Sequence, residues 1–256
     1  MTLKRISGHC WFTDPEPASD RPALGYIRGE KYAFAVDAGA SKRHTEAFYA
    51  VLAENGLPLP SFTGITHYHW DHSYGMAACR GVTIATKMTN DILREEALYK
   101  WDEASMQERL RSGKDIRFCH VTRKTEYPDL SEIRVVPADM EITAETTVDL
   151  GGVQVRLIPC KGPHSLDSML FFVPEDRVIY LGDAEAKDFF LNSWDYDEND
   201  PDSFDRAIEA MPHFTDRLIP FVKLLRGMDF DTVILGHSDE TVSKNDIIDE
   251  LERYIK

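Results

Sequence analysis

The sequence predicts an α/β protein in which each half reads as strands followed by helix. Three observations support this class. Apolar runs of strand length recur along the chain, among them Tyr32–Val36, Phe62–Thr66 and Thr232–Leu235. In each half the strands come first and helix follows, and a sheet with two apolar faces needs cover on both. The chain has 256 residues, 43% of them apolar, enough for one large domain or two small ones. Candidate metal-ligating histidines and aspartates span positions 67 to 237, which favours a single domain over 1–256 folded around one site.

The elements follow in order. Residues 1–23 carry Pro15, Pro17 and Pro22 among Asp14, Glu16 and Asp20, and read as loop. Leu24–Arg28 and Tyr32–Asp37, separated by Gly29-Glu30-Lys31, read as a hairpin. Ser41 is placed to cap a helix reaching about Asn55, with Phe48, Val51 and Leu52 on its inner face. Gly56, Pro58 and Pro60 end it. Phe62–Thr66 is a strand, Ser73–Cys79 a short helix and Val82–Thr86 a strand. From Met88 to Leu110 the pattern is helical and charged, with Ile92, Leu93, Ala97, Leu98 and Trp101 as its apolar stripe. Residues 116–140 read as irregular or extended.

The second half repeats the plan. Thr147–Leu150 and Val153–Ile158 form a hairpin across Gly151-Gly152. Ser168–Val173 and Arg177–Leu181 form another across Pro174-Glu175-Asp176. Asp202 or Ser203 caps a helix holding Phe204, Ile208 and Met211, which Pro212 ends. Asp216–Gly227 is helical with Pro220 near its first turn. Asp231–Leu235 is the last strand, and Asn245–Ile255 the last helix.

One stretch stands out, Thr66-His67-Tyr68-His69-Trp70-Asp71-His72. It holds three of the chain's nine histidines and an aspartate directly after an apolar run. Imidazole and carboxylate bind zinc and similar divalent ions. In extended backbone His67 and His69 point to the same side and can grip one metal together. Asp71 and His72 fall where the chain should turn, facing a second metal nearby. The bland alternative, a polar loop with unrelated histidines, is hard to square with that density.

This H-x-H-x-D-H pattern resembles the signature of the metallo-β-lactamase superfamily. The family's ligands come in a fixed order, and the chain fills it. Gly162-Pro163-His164-Ser165 supplies His164, the run from Arg177 ends in Gly182-Asp183, and the run from Thr232 ends in Gly236-His237. Asp37, after Tyr32–Val36, matches the family's first motif, usually a supporting position. The resemblance spans roughly residues 24 to 240. It implies the αββα four-layer sandwich, with metals at one edge. It implies that His67, His69 and His164 hold one ion, that Asp71, His72 and His237 hold a second, and that Asp183 bridges them. The cofactors implied are two divalent ions, zinc first, with iron or manganese as alternatives. They would acidify a shared water that serves as nucleophile, with Asp71 and Asp183 as the catalytic carboxylates. Tyr68 either donates to a developing oxyanion or simply packs. Many members carry a substrate-covering insertion between the second and third motifs. A helical lid is therefore expected at 88–115, with Tyr99 and Trp101 giving an apolar wall.

Departures narrow the expected function. Members with a cysteine ligand carry it where Asp183 stands, which disfavours penicillin hydrolysis. Aspartate there is similar to glyoxalase II, the quorum-signal lactonases and the RNase-processing branch. Glyoxalase II usually continues into a glutathione-binding domain, whereas 19 residues follow His237 here (256 − 237). The RNase branch needs a basic arm that is not found. Pro163, and Asp167 where many members have glycine, depart from the third motif. The expectation is a metal-dependent hydrolase of a small ester, thioester, lactone or related substrate. The alternatives are an iron-dependent oxidoreductase resembling sulfur dioxygenases, and a non-catalytic binding module on the same fold.

Composition excludes some partners. The formal net charge is −15, and the densest basic groups, Lys42-Arg43 and Arg123-Lys124, read as solvated surface pairs. A nucleic-acid partner is therefore not expected, and a small-molecule substrate is. Met1–Arg5 leads into no apolar signal core, and no run reaches membrane-spanning length, so a cytoplasmic protein without a membrane partner is expected. Oligomeric state is left open. Cys10, Cys79, Cys119 and Cys160 lack paired spacing and read as reduced thiols, with Cys160 more a buried apolar residue than a neighbour of the metals. His9, His44, His120 and His213 have no ligand context and read as surface or structural residues.

Overall fold

The computed structural model describes residues 1–190, 197, 200 and 203–255. Its first sheet has seven strands in chain order: β1 (Leu3–Arg5), β2 (Cys10–Thr13), β3 (Gly25–Arg28), β4 (Ala33–Val36), β5 (Phe62–Gly64), β6 (Val82–Thr86) and β7 (Met140–Ile142). β1 to β4 pair antiparallel, and β4 to β7 pair parallel. The second sheet has six strands: β8 (Thr146–Asp149), β9 (Gln154–Pro159), β10 (Met169–Val173), β11 (Val178–Gly182), β12 (Thr232–Leu235) and β13 (Val242–Ser243). Only its β11–β12 pair is parallel. The helices are α1 (Lys42–Glu54), α2 (Trp70–Ser73), α3 (Lys87–Glu96), α4 (Glu103–Arg111), α5 (Arg117–Glu126), α6 (Ser203–Ala210), α7 (Thr215–Gly227) and α8 (Lys244–Glu252).

Alternation along β10 explains the layers. Phe171 and Val173 point into the space between the sheets, where they meet Phe34, Val36 and Ile27 of the first sheet. Leu170 and Phe172 point the other way, onto Leu218, Phe221 and Leu225 of α7 and Ile247 and Leu251 of α8. On the far side, Phe48, Val51 and Leu52 of α1 cover Tyr26, Ala33 and Ala35. Strands covered on both faces read as unbroken apolar runs, as β4, β10 and β11 do. Truncating Phe171 to alanine would cost about 3–5 kcal/mol. The facing position must be Gly64, because a Cβ there would run into the Phe171 ring.

Most sequence-level elements are present. Ser41 caps α1 by accepting from His44 N at 3.1 Å. Gly151 and Gly152 turn the β8–β9 hairpin, both with positive φ. Four expectations need correction. β1 and β2 lie in the stretch read as loop: Cys10 and Phe12 alternate into the core, and the prolines begin only at Pro15. The helix expected over 88–110 breaks into α3 and α4, and Leu98 is 83% exposed rather than part of a buried stripe. Residues 117–126, read as irregular, form α5. Its buried side chains are Cys119, His120, Thr122, Arg123 and Glu126, which leave no apolar stripe to detect. Pro220 lies in the second turn of α7 rather than the first. Ser203 begins α6, whereas Asp202, the other expected cap, lies outside the described residues. Among the described residues no helix is long and apolar enough to cross a membrane.

Candidate metal centre

The parallel strands β4, β5, β11 and β12 end at one edge of the sandwich, and their last residues lead into the site. β4 delivers Asp37, β5 leads through Ile65 and Thr66 to His67, β11 ends before Asp183, and β12 leads to His237. The backbone turns at His69, the N-cap position of α2, which carries Asp71 and His72. His164 comes from the β9–β10 connection. Gly182 has φ +58, and a Cβ on Gly236 would run into the Asp183 carboxylate, so glycine is needed where the two strands enter.

All seven sequence-predicted residues come together, in two groups. Ligand atoms of His67, His69 and His164 lie within 4.8 Å of one another, as do those of Asp71, His72, Asp183 and His237. His69 Nδ1 is 2.9 Å from His164 Nε2. His72 Nε2 is 3.0 Å from Asp71 Oδ2 and 3.2 Å from Asp183 Oδ2. His237 Nε2 is 3.2 Å from Asp71 Oδ2 and 3.4 Å from Asp183 Oδ2. The same Asp183 oxygen is 3.8 Å from His164 Nε2, so this carboxylate reaches both groups.

Surrounding contacts orient the imidazoles. Asp37, with φ +67, accepts from Thr66 N at 2.7 Å, Thr66 Oγ1 at 2.9 Å and His72 Nδ1 at 2.8 Å. That last bond leaves His72 Nε2 facing the cluster. His164 Nδ1 donates to the Lys187 carbonyl at 2.6 Å, which leaves its Nε2 lone pair inward. Asp167 accepts from Tyr68 N at 2.8 Å, Thr89 Oγ1 at 2.7 Å and the Ser165 hydroxyl. The residue that departs from the family's third motif therefore ties the two ligand loops together.

Charge divides the groups. Burial, then the neighbouring imidazoles, hold His67 and His69 well below the usual histidine range. Burial also opposes charge on His72 and His237, but carboxylates led by Asp183 outweigh it and hold both well above that range. Asp71 and Asp183 are in turn held below the usual carboxylate range: burial raises them, and the His72 and His237 charges outweigh it. His67 Nε2 is buried with no hydrogen-bond partner among the described residues. An unpaired buried nitrogen costs about 1–3 kcal/mol. A cation between the three imidazoles would remove that cost, and nitrogen and oxygen donors in this mixture suit zinc or another first-row divalent ion. The residues present therefore fit the implied metals.

The groups form the floor of a cavity of about 610 Å³. One wall is Pro15, Pro17, Ala18 and Asp20 together with Phe118, Val121, Thr122 and Thr125 of α5. The other includes Glu185, Phe189 and Phe190. The apolar wall expected from Tyr99 and Trp101 comes from α5 instead, and no described lining residue belongs to 88–115. Trp101 packs behind α5, 5.6 Å from the Tyr74 ring and 5.3 Å from the Arg123 guanidinium. Arg123, expected in solvent, is 5% exposed and pairs with Asp115 at 2.7 Å. Buried Glu126 holds the end of α5. It accepts two bonds from Arg21 at 2.9 and 3.0 Å and one from the Ser41 hydroxyl, while Arg43 donates to its backbone carbonyl at 2.6 Å. Sequence reading missed this clamp, because its partners lie 83 to 105 positions away.

The remaining candidates are structural. Tyr68 packs 6.4 Å from Phe190 and is not on the cavity wall. Cys160 packs with Ile158 and Leu170 beneath α7 and α8. His9 pairs with Asp176 at 2.8 Å, His44 accepts from Ala40 N at 3.2 Å, His120 sits 3.3 Å from Gln107, and the His213 ring packs tilted against Tyr254.

Two facing sheets under helices carry, at the strand ends, a histidine and aspartate cluster that could hold metal ions. The family model for the metallo-beta-lactamase superfamily matches residues 24–237, and the chain belongs to that superfamily. No curated protein matches it. Solved structures do. A metallo-beta-lactamase from Pontibacter korlensis aligns with a TM-score of 0.62 at 15% identity, covering 98% of this chain and 96% of its own. The DIM-1 metallo-beta-lactamase gives 0.61 at 17%, covering 99% and 95%. A double mutant of the sec-alkyl sulfatase PisA1 gives 0.67 at 13%, covering 99% of this chain and 41% of its own. Likeness at these identities is likeness of fold.

Proposed function

We propose that this chain is one domain that works as a metal-dependent hydrolase on a small ester, thioester, lactone or related substrate. The observation that carries the reading is the Asp183 carboxylate, whose Oδ2 is 3.2 Å from His72, 3.4 Å from His237 and 3.8 Å from His164. A carboxylate in reach of two ligand groups suits a shared position. His67, His69 and His164 would hold one ion, Asp71, His72 and His237 the other, and Asp183 both. Two divalent ions, zinc by preference, would supply an acidified water as nucleophile and polarise the oxygen of the scissile bond.

The protein's own groups supply the rest. Burial keeps His67 and His69 neutral, so their lone pairs are available. Asp37 and the Lys187 carbonyl hold His72 and His164 in the tautomers that face inward. α5 and the 15–20 segment form one wall of the cavity above the floor. Four free cysteines suit a cytoplasmic setting. The test is turnover of metal-loaded protein on a panel of esters, thioesters and lactones, with Asp183→Ala alongside. The variant should keep its circular dichroism and lose at least about a thousandfold in kcat/KM; unchanged turnover contradicts the proposal.

A further inference from the structure

Beyond its ligand floor the cavity is aromatic and acidic. Phe118 of α5 faces in from one wall, and Phe189 and Phe190 from the other. The Phe190 ring centre lies 5.2 Å from that of His69, and the Phe189 ring centre 5.4 Å from that of His164. The aromatic surface therefore begins beside the three-imidazole group. Asp20, Glu185 and Asp200 add carboxylates. Asp200 pairs with Arg206 at 2.5 Å, but Glu185 Oε2 is buried with no partner among the described residues. No lysine or arginine is among the described lining residues, and the stretch 191–202 contains none in its sequence. Nearby cations are directed elsewhere. Lys187 Nζ donates to the Ile208 and Glu209 carbonyls at 2.7 and 3.2 Å, and Arg117 and Lys124 line a separate surface cavity with Gln107 and Leu110.

Aromatic faces together with uncompensated carboxylates are the chemistry that receives an ammonium cation: the ring quadrupoles attract it, and the acids offset the loss of its hydration. We propose that the cavity selects substrates whose non-reacting end is an ammonium group on a short linker, with Glu185 as the specificity-determining carboxylate. This rests on the hydrolase reading above and names its substrate class.

The test uses matched pairs on zinc-loaded protein. Acetylthiocholine is compared with the neutral thioester in which carbon replaces the quaternary nitrogen. The cation should be preferred about tenfold in kcat/KM, and the preference should fall to about twofold in Glu185→Gln. Equilibrium binding of choline and of its neutral carbon isostere reads the same preference without turnover. It should show tighter binding of choline by wild type and a reduced ratio in Glu185→Gln. Equal binding of the two by wild type overturns the proposal, as does an undiminished ratio in the variant. Turnover of both thioesters without preference leaves the hydrolase standing and the cavity assignment refuted. Preferential choline binding with no turnover of any ester, thioester or lactone does the reverse.

Discussion

The two candidate ligand groups sit side by side and would attract cations by different means. His67, His69 and His164 are 2%, 8% and 3% exposed and contain no carboxylate. Asp71, His72, Asp183 and His237 mix two carboxylates with two imidazoles, and the His237 side chain is 35% exposed. Burial dominates the first group and keeps His67 and His69 neutral. Carboxylates dominate the second and favour positive charge on its imidazoles. The first group thus offers preset lone pairs, and the second offers negative charge that protons occupy until a metal displaces them.

Four expectations would break or sharpen that contrast. The largest effect belongs to His67→Ala, which removes the unpartnered nitrogen of the first group. Metal analysis should find that group empty, and kcat/KM should fall by at least about a thousandfold. Full metal content would break the assignment. Next is Asp37→Asn, which acts on His72 directly and on His67 only through Thr66, whose Oγ1 is 3.0 Å from His67 Nδ1. Chelator competition should read a loss of about 10–100-fold in affinity at the second group and a smaller loss at the first. Equal loss at both would erase the distinction.

The third expectation concerns protons. Near pH 7, filling the second group should displace protons from His72 and His237, because both are held above the ordinary value of 6.5. Filling the first should displace none from His67 or His69, which are held below it. Calorimetry in buffers of different ionisation enthalpy measures this directly. The signs also set the stability of metal-free protein. The raised pair stabilises the fold below pH 6.5 and loses that contribution as pH rises through its folded values, whereas the lowered pair loses its contribution as pH falls below 6.5. The smallest effect is expected from Asp20→Asn. Asp20 Oδ1 is 3.9 Å from His237 Nδ1. That is longer than a hydrogen bond, so affinity at the second group should fall at most about threefold by the same competition assay.

What the sequence revealed follows from where the information lies along the chain. The β3–β4 hairpin, the Ser41 cap and the paired glycines of the β8–β9 turn are local patterns, and the structure contains them. His67, His69, Asp71 and His72 were legible from their density after an apolar run, and His164, Asp183 and His237 through the ligand order of the family resembled; all seven assemble into two groups. α5 was not legible. Apart from Cys119, its buried side chains are polar or charged, and Arg123 and Glu126 are held by Asp115, Arg21 and Ser41. Buried charge satisfied by distant partners has no period in sequence. The same reason misplaced Arg123 in solvent and assigned the cavity wall to Tyr99 and Trp101. The strands β1 and β2 were hidden differently, by prolines that belong to the next segment.

The most direct measurement is the identity and number of metals per chain, by mass spectrometry of protein purified without chelators or a metal-binding tag. The account predicts about two zinc ions per chain. About one iron per chain would contradict the paired-ion assignment and turn attention to oxidation chemistry. No metal after reconstitution would contradict the seven-residue centre itself.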